Sequence, residues 1–288
     1  MLSSVTTFLS GLESGTALSS RQSALTALRP LGLGDFGSVL WQMPMPEFPN
    51  LSQHLPPMSP LEVQKKWTGA SGQQLLINSV PFVQSCSENY TALTGKSLKE
   101  ARILDFGCGY GRFLRLFSYY SDEVWGCDPW EMSLEQSRAA GFADRVRKSD
   151  TMPDNLPFDE GFDFAFAFSI FTHLNQRAAT ACLRALRTAM KPSGVLCITI
   201  RPPEYWTGHF AANKTAPPDS AKRFMTAHDE NGFAFFPHGA KPDDPDATYG
   251  DTSMTIATLR RIAPGWEIAA MDRTLTDPMQ HYIFLRAV

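Results

Sequence analysis

The chain lacks any run of lysines and arginines, and its formal net charge is −3. A nucleic-acid backbone needs a clustered basic surface, so nucleic acid is not expected as the partner. The five cysteines, Cys86, Cys108, Cys127, Cys182 and Cys197, form no C-x-x-C pair. An odd number without that spacing suggests neither a disulfide framework nor a zinc site, and a reducing cytoplasm fits. Residues 1–20 hold no lysine or arginine and include Glu13, so the charged start of a secretory signal is missing. No apolar run reaches the ~20 residues that cross a bilayer. Charged residues make up 19% of the chain against about 25% in an average globular protein, and hydrophobic residues 43%. A packed core is therefore feasible and wholesale disorder is not expected.

What is present is organised unevenly. Residues 1–60 are rich in Ser, Leu, Gly and Pro. Arg21–Leu28 reads as a short helix stopped by Pro30, and the prolines from Pro44 to Pro60 predict an extended, turn-rich stretch. Ser59-Pro60 reads as an N-cap and first helical position before a helix at Leu61–Trp67, with a second helix over about Gly72–Asn89. From Ala101 strands and helices alternate. Strands are expected at Arg102–Phe106, Glu123–Cys127, Arg145–Lys148, Phe162–Phe168 and Val195–Ile200. Helices are expected behind the first glycines, at Trp130–Ala140 with Gly141 as its stop, and over Ala179–Met190. Pro192-Ser193-Gly194 is expected to end that last helix. Four crossovers of this kind predict a parallel sheet covered on both faces. Residues 201–253 break the rhythm with many Pro, Asp and Gly residues. A helix over Ser253–Ile262 and strands at Trp266–Met271 and His281–Leu285, turned at Asp277-Pro278, close the chain.

The stretch Ile103-Leu104-Asp105-Phe106-Gly107-Cys108-Gly109-Tyr110-Gly111-Arg112 is the most informative. A strand enters a loop with glycine at every second position and a helix leaves it. Glycine lets the backbone turn tightly and lets a ligand lie against bare main chain, and the helix start offers free N–H groups. A dinucleotide fingerprint needs its third glycine one residue later, which speaks against a nicotinamide dehydrogenase. Asp128 ends the next strand, 21 residues beyond Gly107. An acid there can accept both hydroxyls of a ribose. An unrelated glycine turn, with Asp128 as a helix cap, is the bland alternative.

On these residues the chain resembles the class I S-adenosylmethionine-dependent methyltransferases. Asp105–Arg112 matches their glycine motif and Asp128 their ribose-binding acid. Ser149-Asp150 through Leu156-Pro157-Phe158 and Phe162-Asp163 is similar to their region around the third and fourth strands, and Lys191-Pro192-Ser193-Gly194 to the turn before their fifth, with Ser193 where a glycine is usual. The phrase Phe168-Ser169-Ile170-Phe171-Thr172-His173-Leu174 resembles a bacterial group found near sugar and polysaccharide biosynthesis genes. The likeness covers about Trp67–Val288. It implies a Rossmann-like, doubly wound, mostly parallel seven-stranded α/β sheet with an antiparallel terminal strand. Residues 1–66 would form an N-terminal extension and 67–288 the methyltransferase domain, with 201–253 an insertion placed to act as a lid. It implies S-adenosyl-L-methionine as cofactor, held by Asp105, Gly107, Cys108, Gly109, Gly111, Asp128, Pro129, Trp130, Asp150 and Ser169. Asp150 would meet the adenine amino group. Trp130 departs from the smaller residues usual there, and would either stack on adenine or pack under its helix.

Methyl transfer is an in-line displacement in which the enzyme positions the acceptor and can remove its proton. The acceptor side lies beyond the C-terminal strand ends. His173, just past the fourth strand, is the candidate general base. The competing reading has Thr172 or Asn175 capping the next helix while His173 holds the turn. Arg201, Tyr205, Trp206, His209, His228, His238 and Tyr249 are candidate acceptor contacts, with Arg201, Tyr205, His209 and Tyr249 taken as the binding set. The Asn/Asp-Pro-Pro-aromatic motif of amino-group methyltransferases is absent at Phe168-Ser169-Ile170-Phe171. Ser169 and Arg201 stand where metal-dependent enzymes carry carboxylates, so no catalytic metal is expected. Asp243, Asp244, Asp246 and Asp251 read as a solvated acidic loop. The expected reaction is O-methylation of a small molecule such as a sugar or polysaccharide precursor. A non-sugar or peptide acceptor, or a non-catalytic S-adenosylmethionine sensor, are the alternatives.

Overall fold

A computed structural model describes residues 1–15, 18–212, 217, 219–239 and 247–288. The chain forms two compact units, residues 1–148 and 149–288. Seven strands, β1 (Ile103–Phe106), β2 (Val124–Asp128), β3 (Val146–Lys148), β4 (Phe162–Ala167), β5 (Met190–Ile200), β8 (Trp266–Arg273) and β9 (His281–Ala287), are ordered β3-β2-β1-β4-β5-β9-β8 in one sheet, with β9 antiparallel to β5 and β8. This is the Rossmann-like methyltransferase fold the resemblance implies.

The first unit opens with helices α1 (Ser3–Gly15), α2 (Arg21–Leu28), α3 (Leu33–Gln42) and α4 (Pro49–His54). They share a core of Val5, Leu9, Leu25, Leu28, Phe36 and Leu51. The proline-rich stretch thus contains a helix where extended chain was expected. Pro49 sits at its start, where a missing N–H costs nothing. The Glu13 carboxylate accepts from the backbone of Asn50 (2.6 Å) and Leu51 (3.2 Å). Helix α5 (Leu61–Thr68) follows Pro60, and Ser59 does not cap it. Its hydroxyl donates instead to Gln136 at 3.1 Å. Helix α6 (Gly72–Thr94) runs longer than expected and accommodates Pro81. Then come β1 (Ile103–Phe106), α7 (Arg112–Phe117), β2 (Val124–Asp128), α8 (Glu131–Ser137) and β3 (Val146–Lys148), with all three strands parallel. Past Ser137 the chain widens into a π turn, Arg138–Phe142, which Gly141 ends at φ 89°.

The second unit holds β4 (Phe162–Ala167), α9 (Gln176–Ala189) and β5 (Met190–Ile200). Strand β4 is buried along almost its whole length, as its unbroken apolar sequence requires. The Asn175 side chain caps α9, accepting from the Ala178 N–H at 2.8 Å. Helix α9 ends at Ala189, ahead of Pro192-Ser193-Gly194, and these three residues belong to the extended strand. Ser193 adopts φ 60°, which accounts for the glycine usual at that place.

The stretch 201–253 carries structure of its own: α10 (Tyr205–Ala212), α11 (Ser220–Asn231) and a hairpin of β6 (Phe233–Pro237) with β7 (Gly250–Met254). Trp206, Phe224 and Ala234 form its core, flanked by Phe210 and Phe236. The Trp206 indole donates to Ser253 Oγ at 2.7 Å, and His228 Nδ1 lies 2.9 Å from the same hydroxyl. Helix α12 (Ile256–Ile262) is capped by Thr255, so Ser253 belongs to β7 rather than to the helix. Strands β8 (Trp266–Arg273) and β9 (His281–Ala287) finish the sheet. No helix among the described residues is long and apolar enough to cross a membrane.

Trp206 is fully buried. Truncating a buried aromatic typically costs about 3–5 kcal/mol. Trp206→Ala should therefore open residues 201–253 to limited proteolysis at temperatures where the wild type resists. Equal cleavage patterns would show that the insertion does not depend on this core.

Candidate functional site

The glycine loop belongs to the first unit. Gly107, Gly109 and Gly111 all have positive φ, at 82°, 54° and 79°. That alternation is why glycine recurs at every second position, since a Cβ is strained there. The N–H groups of Gly107 and Cys108 both donate to Cys127 O, at 2.8 and 3.0 Å, pinning the loop to β2. A Cβ on Gly126 would come within 2.8 Å of Cys108 Cβ, so strand and loop lie in direct contact. The Cys108 thiol is buried there and faces Ser137 Oγ at 4.0 Å. A Cβ on Gly109, by contrast, would meet nothing within 4 Å. The loop is thus packed on one side and open on the other.

Two carboxylates flank that opening. Asp128, 6% exposed, ends β2 and accepts from the Gly109 N–H at 3.0 Å and the Trp130 N–H at 2.9 Å. Burial raises its pKa, and those backbone bonds and the Ser133 side chain oppose the rise. It therefore holds the loop as well as standing at the strand tip. Each oxygen keeps acceptor capacity for a further hydroxyl. Asp105, 2% exposed, ends the apolar run of β1, and its Oδ2 has no hydrogen-bond partner among the described residues. Burial pushes its carboxyl well above the usual range, partly offset by Arg112, with Asp128 adding to the rise. A buried polar atom left without a partner costs about 1–3 kcal/mol and marks a place where a ligand donor would be welcome. Pro129 is half-buried, and Trp130 is 52% exposed at the start of α8.

The second unit carries the remaining expected residues. Asp150 is exposed. Ser169, two residues past β4, adopts φ 59°, a left-handed conformation costing a non-glycine residue about 1–3 kcal/mol. It is held by its N–H donating to Thr199 Oγ1 at 2.7 Å and by Gln280 Nε2 donating to its hydroxyl at 3.3 Å.

Beyond the ends of β4 and β5 lies a buried polar cluster centred on Asp251, 4% exposed. Its Oδ1 accepts from Arg201 Nη1 at 2.6 Å and from the Tyr205 hydroxyl at 2.7 Å. Its Oδ2 pairs with His238 Nε2 at 2.6 Å. Burial alone would raise this carboxyl, but His238, Tyr205 and the Arg201 charge outweigh it and bring the pKa to about 2. Burial is also the main cause raising the Tyr205 phenol. Arg201 Nη1 also donates to Thr172 O at 2.9 Å, and its guanidinium lies 4.0 Å from the Tyr205 ring centre. Tyr205 and His209 Nδ1 are 3.0 Å apart. Tyr249 stacks on His173 with ring centres 5.3 Å apart.

Arg201, Tyr205 and His209 thus come together, largely around Asp251. Asp251 itself is the residue missed. Read as part of a solvated acidic loop, it is buried and paired. Its spacing carried no signal, because the β6–β7 hairpin is what lifts it into place beside Phe236. Asp243, Asp244 and Asp246 lie outside the described residues.

His173 Nδ1 donates to Gly250 O at 2.6 Å, and its Nε2 faces Arg201 Nη2 at 3.3 Å. A carbonyl only accepts, so the proton sits on Nδ1 and the Nε2 lone pair points at a cation. Burial first, and Arg201 second, lower its pKa to about 4. Neither nitrogen is open, and the geometry favours the turn-holding reading over proton removal. His173, His238 and Asp251 offer ligand atoms within 4.8 Å of one another, which would suit a cation. The Arg201 guanidinium, bonded to two of the three, already supplies the positive charge there.

Two outcomes follow from these contacts. Gly109→Val should abolish S-adenosylhomocysteine binding by calorimetry while the fold persists. Asp128→Ala should weaken binding by at least one charge-assisted bond, about 1.5–3 kcal/mol. The second outcome concerns pH. The unfolded chain protonates His173 below about pH 6.5, while the folded chain resists until about pH 4. Stability should therefore fall as pH drops through that window, by up to about 3 kcal/mol from this group. His209, His228 and His281, also lowered by burial, act in the same direction. The Asp251 contribution is lost only at lower pH, as its carboxylate is protonated. Urea melts from pH 7 to pH 4.5 should show the slope, and His173→Gln should reduce it.

Residues 103–194 match the family described as a methyltransferase domain. A tRNA U34 carboxymethyltransferase of Idiomarina loihiensis is 29% identical over 108 residues, 35% of this chain and 33% of that protein. The chain thus spans about a third of the length of the curated relative it matches. Among solved structures, the PH0226 protein of Pyrococcus horikoshii OT3 is similar with TM-score 0.52 and 14% identity, over 73% of this chain and 91% of that one. The magnesium protoporphyrin IX methyltransferase of Synechocystis PCC 6803 with bound S-adenosylhomocysteine gives TM-score 0.50 and 13% identity, over 75% and 87%. At these identities the structures speak for the fold, and the domain match speaks for the chemistry. Over residues 103–194 the chain is thus similar to a methyltransferase domain, and its fold is that of the solved methyltransferases.

Proposed function

We propose that this protein transfers a methyl group from S-adenosylmethionine to a hydroxyl of a small molecule, a sugar or polysaccharide precursor. The observation that carries the cofactor half is the loop of three left-handed glycines, open at Gly109 and flanked by Asp105 and Asp128. These residues fit the group. Asp128 is suited to the ribose hydroxyls. The Gly107–Gly111 backbone, including that of Cys108, is suited to the amino-acid tail. A cationic ligand group beside the unpartnered Asp105 oxygen would return that carboxyl to its ionised form. Pro129 and Trp130 are assigned to the adenine, with the exposed indole as a stacking face. Asp150 is assigned to the adenine amino group. Ser169 is assigned to the strand end where cofactor and acceptor sides adjoin in such folds.

For the acceptor half, Tyr249 is 40% exposed, and such a face suits the apolar side of a sugar ring. Arg201, Tyr205 and His209 shape the acceptor side through Asp251, and residues 201–253 act as its lid. A tRNA acceptor, which the name of the relative raises, is opposed by a net charge of −3 without a basic run.

The test is incubation with methyl-labelled S-adenosylmethionine and a panel of monosaccharides, nucleotide sugars, phenols and tRNA. Label recovered as a methyl ether of a sugar hydroxyl, with one S-adenosylhomocysteine per methyl, is the expected result. Label in tRNA alone would overturn the acceptor reading. Tight binding with no transfer to any acceptor would favour the sensor.

A further inference from the structure

Three histidines surround Asp251, and only one is arranged to take a proton. Both ring nitrogens of His173 are engaged. His209 has Nδ1 against the Tyr205 hydroxyl, and its buried Nε2 sits among the rings of Trp206, Phe210 and Phe236. His238 differs. Its side chain is 44% exposed, and its one side-chain hydrogen bond among the described residues runs from Nε2 to Asp251 Oδ2. A carboxylate only accepts, so the ring proton is fixed on Nε2 and Nδ1 presents its lone pair. Its backbone N–H donates to Tyr249 O at 3.1 Å, which sets the ring at the rim of the cluster. The exposed Tyr249 ring stands edge-on to it at 5.6 Å.

We propose that His238, oriented by Asp251, is the general base that takes the acceptor's proton during methyl transfer. The inference rests on the methyltransferase reading above. The acceptor O–H bond breaks and its proton passes to His238 Nδ1. The oxygen lone pair forms the new O–CH3 bond. The electron pair of the broken S–CH3 bond stays on sulfur, giving the neutral thioether. The resulting imidazolium is stabilised by the Asp251 carboxylate, while the Arg201 cation on the other oxygen keeps that carboxylate ionised. Among the described residues, the charged and titratable groups around His238 are Asp251 and Tyr249 on or beside β7, His173 past β4, Arg201 past β5, and Tyr205 and His209 on α10.

The full-length protein carrying nitrogen-15 histidine gives the first measurement. The neutral His238 ring should be the Nε2–H tautomer, and Asp251→Ala should weaken that preference. An Nδ1–H tautomer in the wild type, or a tautomer balance unmoved by Asp251→Ala, would overturn the proposal. The second measurement uses the best hydroxyl acceptor of the panel. His238→Ala and His238→Gln should each lower kcat by roughly 10²–10⁴-fold, with S-adenosylhomocysteine affinity unchanged. The acid limb of the kcat–pH profile should disappear, and added imidazole should partly restore His238→Ala. Turnover within a fewfold of wild type overturns the dyad alone. Zinc that co-purifies stoichiometrically and is lost in His238→Ala would overturn it in favour of a metal site. Wild-type protein that binds no S-adenosylhomocysteine would instead take down the methyltransferase reading, and the dyad with it.

Discussion

The pairing of Arg201 with Asp251 is the contact on which the polar cluster beyond β4 and β5 depends. Both groups are nearly buried, and a buried charge left without its partner is costly. Arg201 directly follows β5, and Asp251 lies on β7. Their bond, with Arg201 also holding Thr172 O, ties together a sheet strand, the turn after its neighbour and the hairpin of the insertion. Removing one partner of such a pair typically costs about 3–5 kcal/mol, because the other is left buried and unpaired. Tyr205, His173 and His238 then fill the remaining hydrogen-bond positions of the same two groups. The polar cluster is thus one satisfied network rather than a collection of separate contacts.

The first unit solves a related problem without a carboxylate. Arg115 on α7 is 1% exposed, and its guanidinium donates to the carbonyls of Pro56, Pro57, Leu40 and Ala140. Burial, and the charge of Arg21, lower its pKa to about 9. Proline carbonyls have no N–H of their own to pair in a ladder, and the stretch between α4 and α5 is where they are free to point inward. This is how the chain between α4 and α5 is fastened to the helix that follows the glycine loop. The same helix therefore carries the loop at one end and the N-terminal layer along its side.

Much of this was legible in the sequence, and the boundary of legibility is physical. The glycine loop and Asp128 could be read because backbone conformation dictates residue type there: three positive φ angles require three glycines. The strands could be read because burial on both faces leaves an unbroken apolar run, as in Phe162–Phe168. Helix α4 was hidden by its prolines, since Pro49 is tolerated at a first turn and the cap comes from Glu13, far off in sequence. Asp251 was hidden for a deeper reason. A carboxylate in a polar loop and a carboxylate lifted by a hairpin onto a buried arginine have the same local sequence. Only the pairing of β6 with β7 separates them. The roles of His173 and His238 were undecided for the same reason, because tautomer and access depend on which carbonyl or carboxylate each ring meets.

The aromatic core of α10, α11 and β6 bears on how such a protein can change. Trp206, Phe210, Phe224 and Phe236 pack on one another within residues 201–253, and the sheet behind them closes its own core with β4, β5 and β9. Strand β7 is tied to the turn after β4, with the Gly250 and Thr252 N–H groups donating to His173 O and Thr172 O, so change there bears on the sheet. The rings of α10, α11 and β6 pack on one another instead, and substitutions among them bear first on that aromatic core. Descendants of this chain could remodel that module while the glycine loop is inherited unaltered.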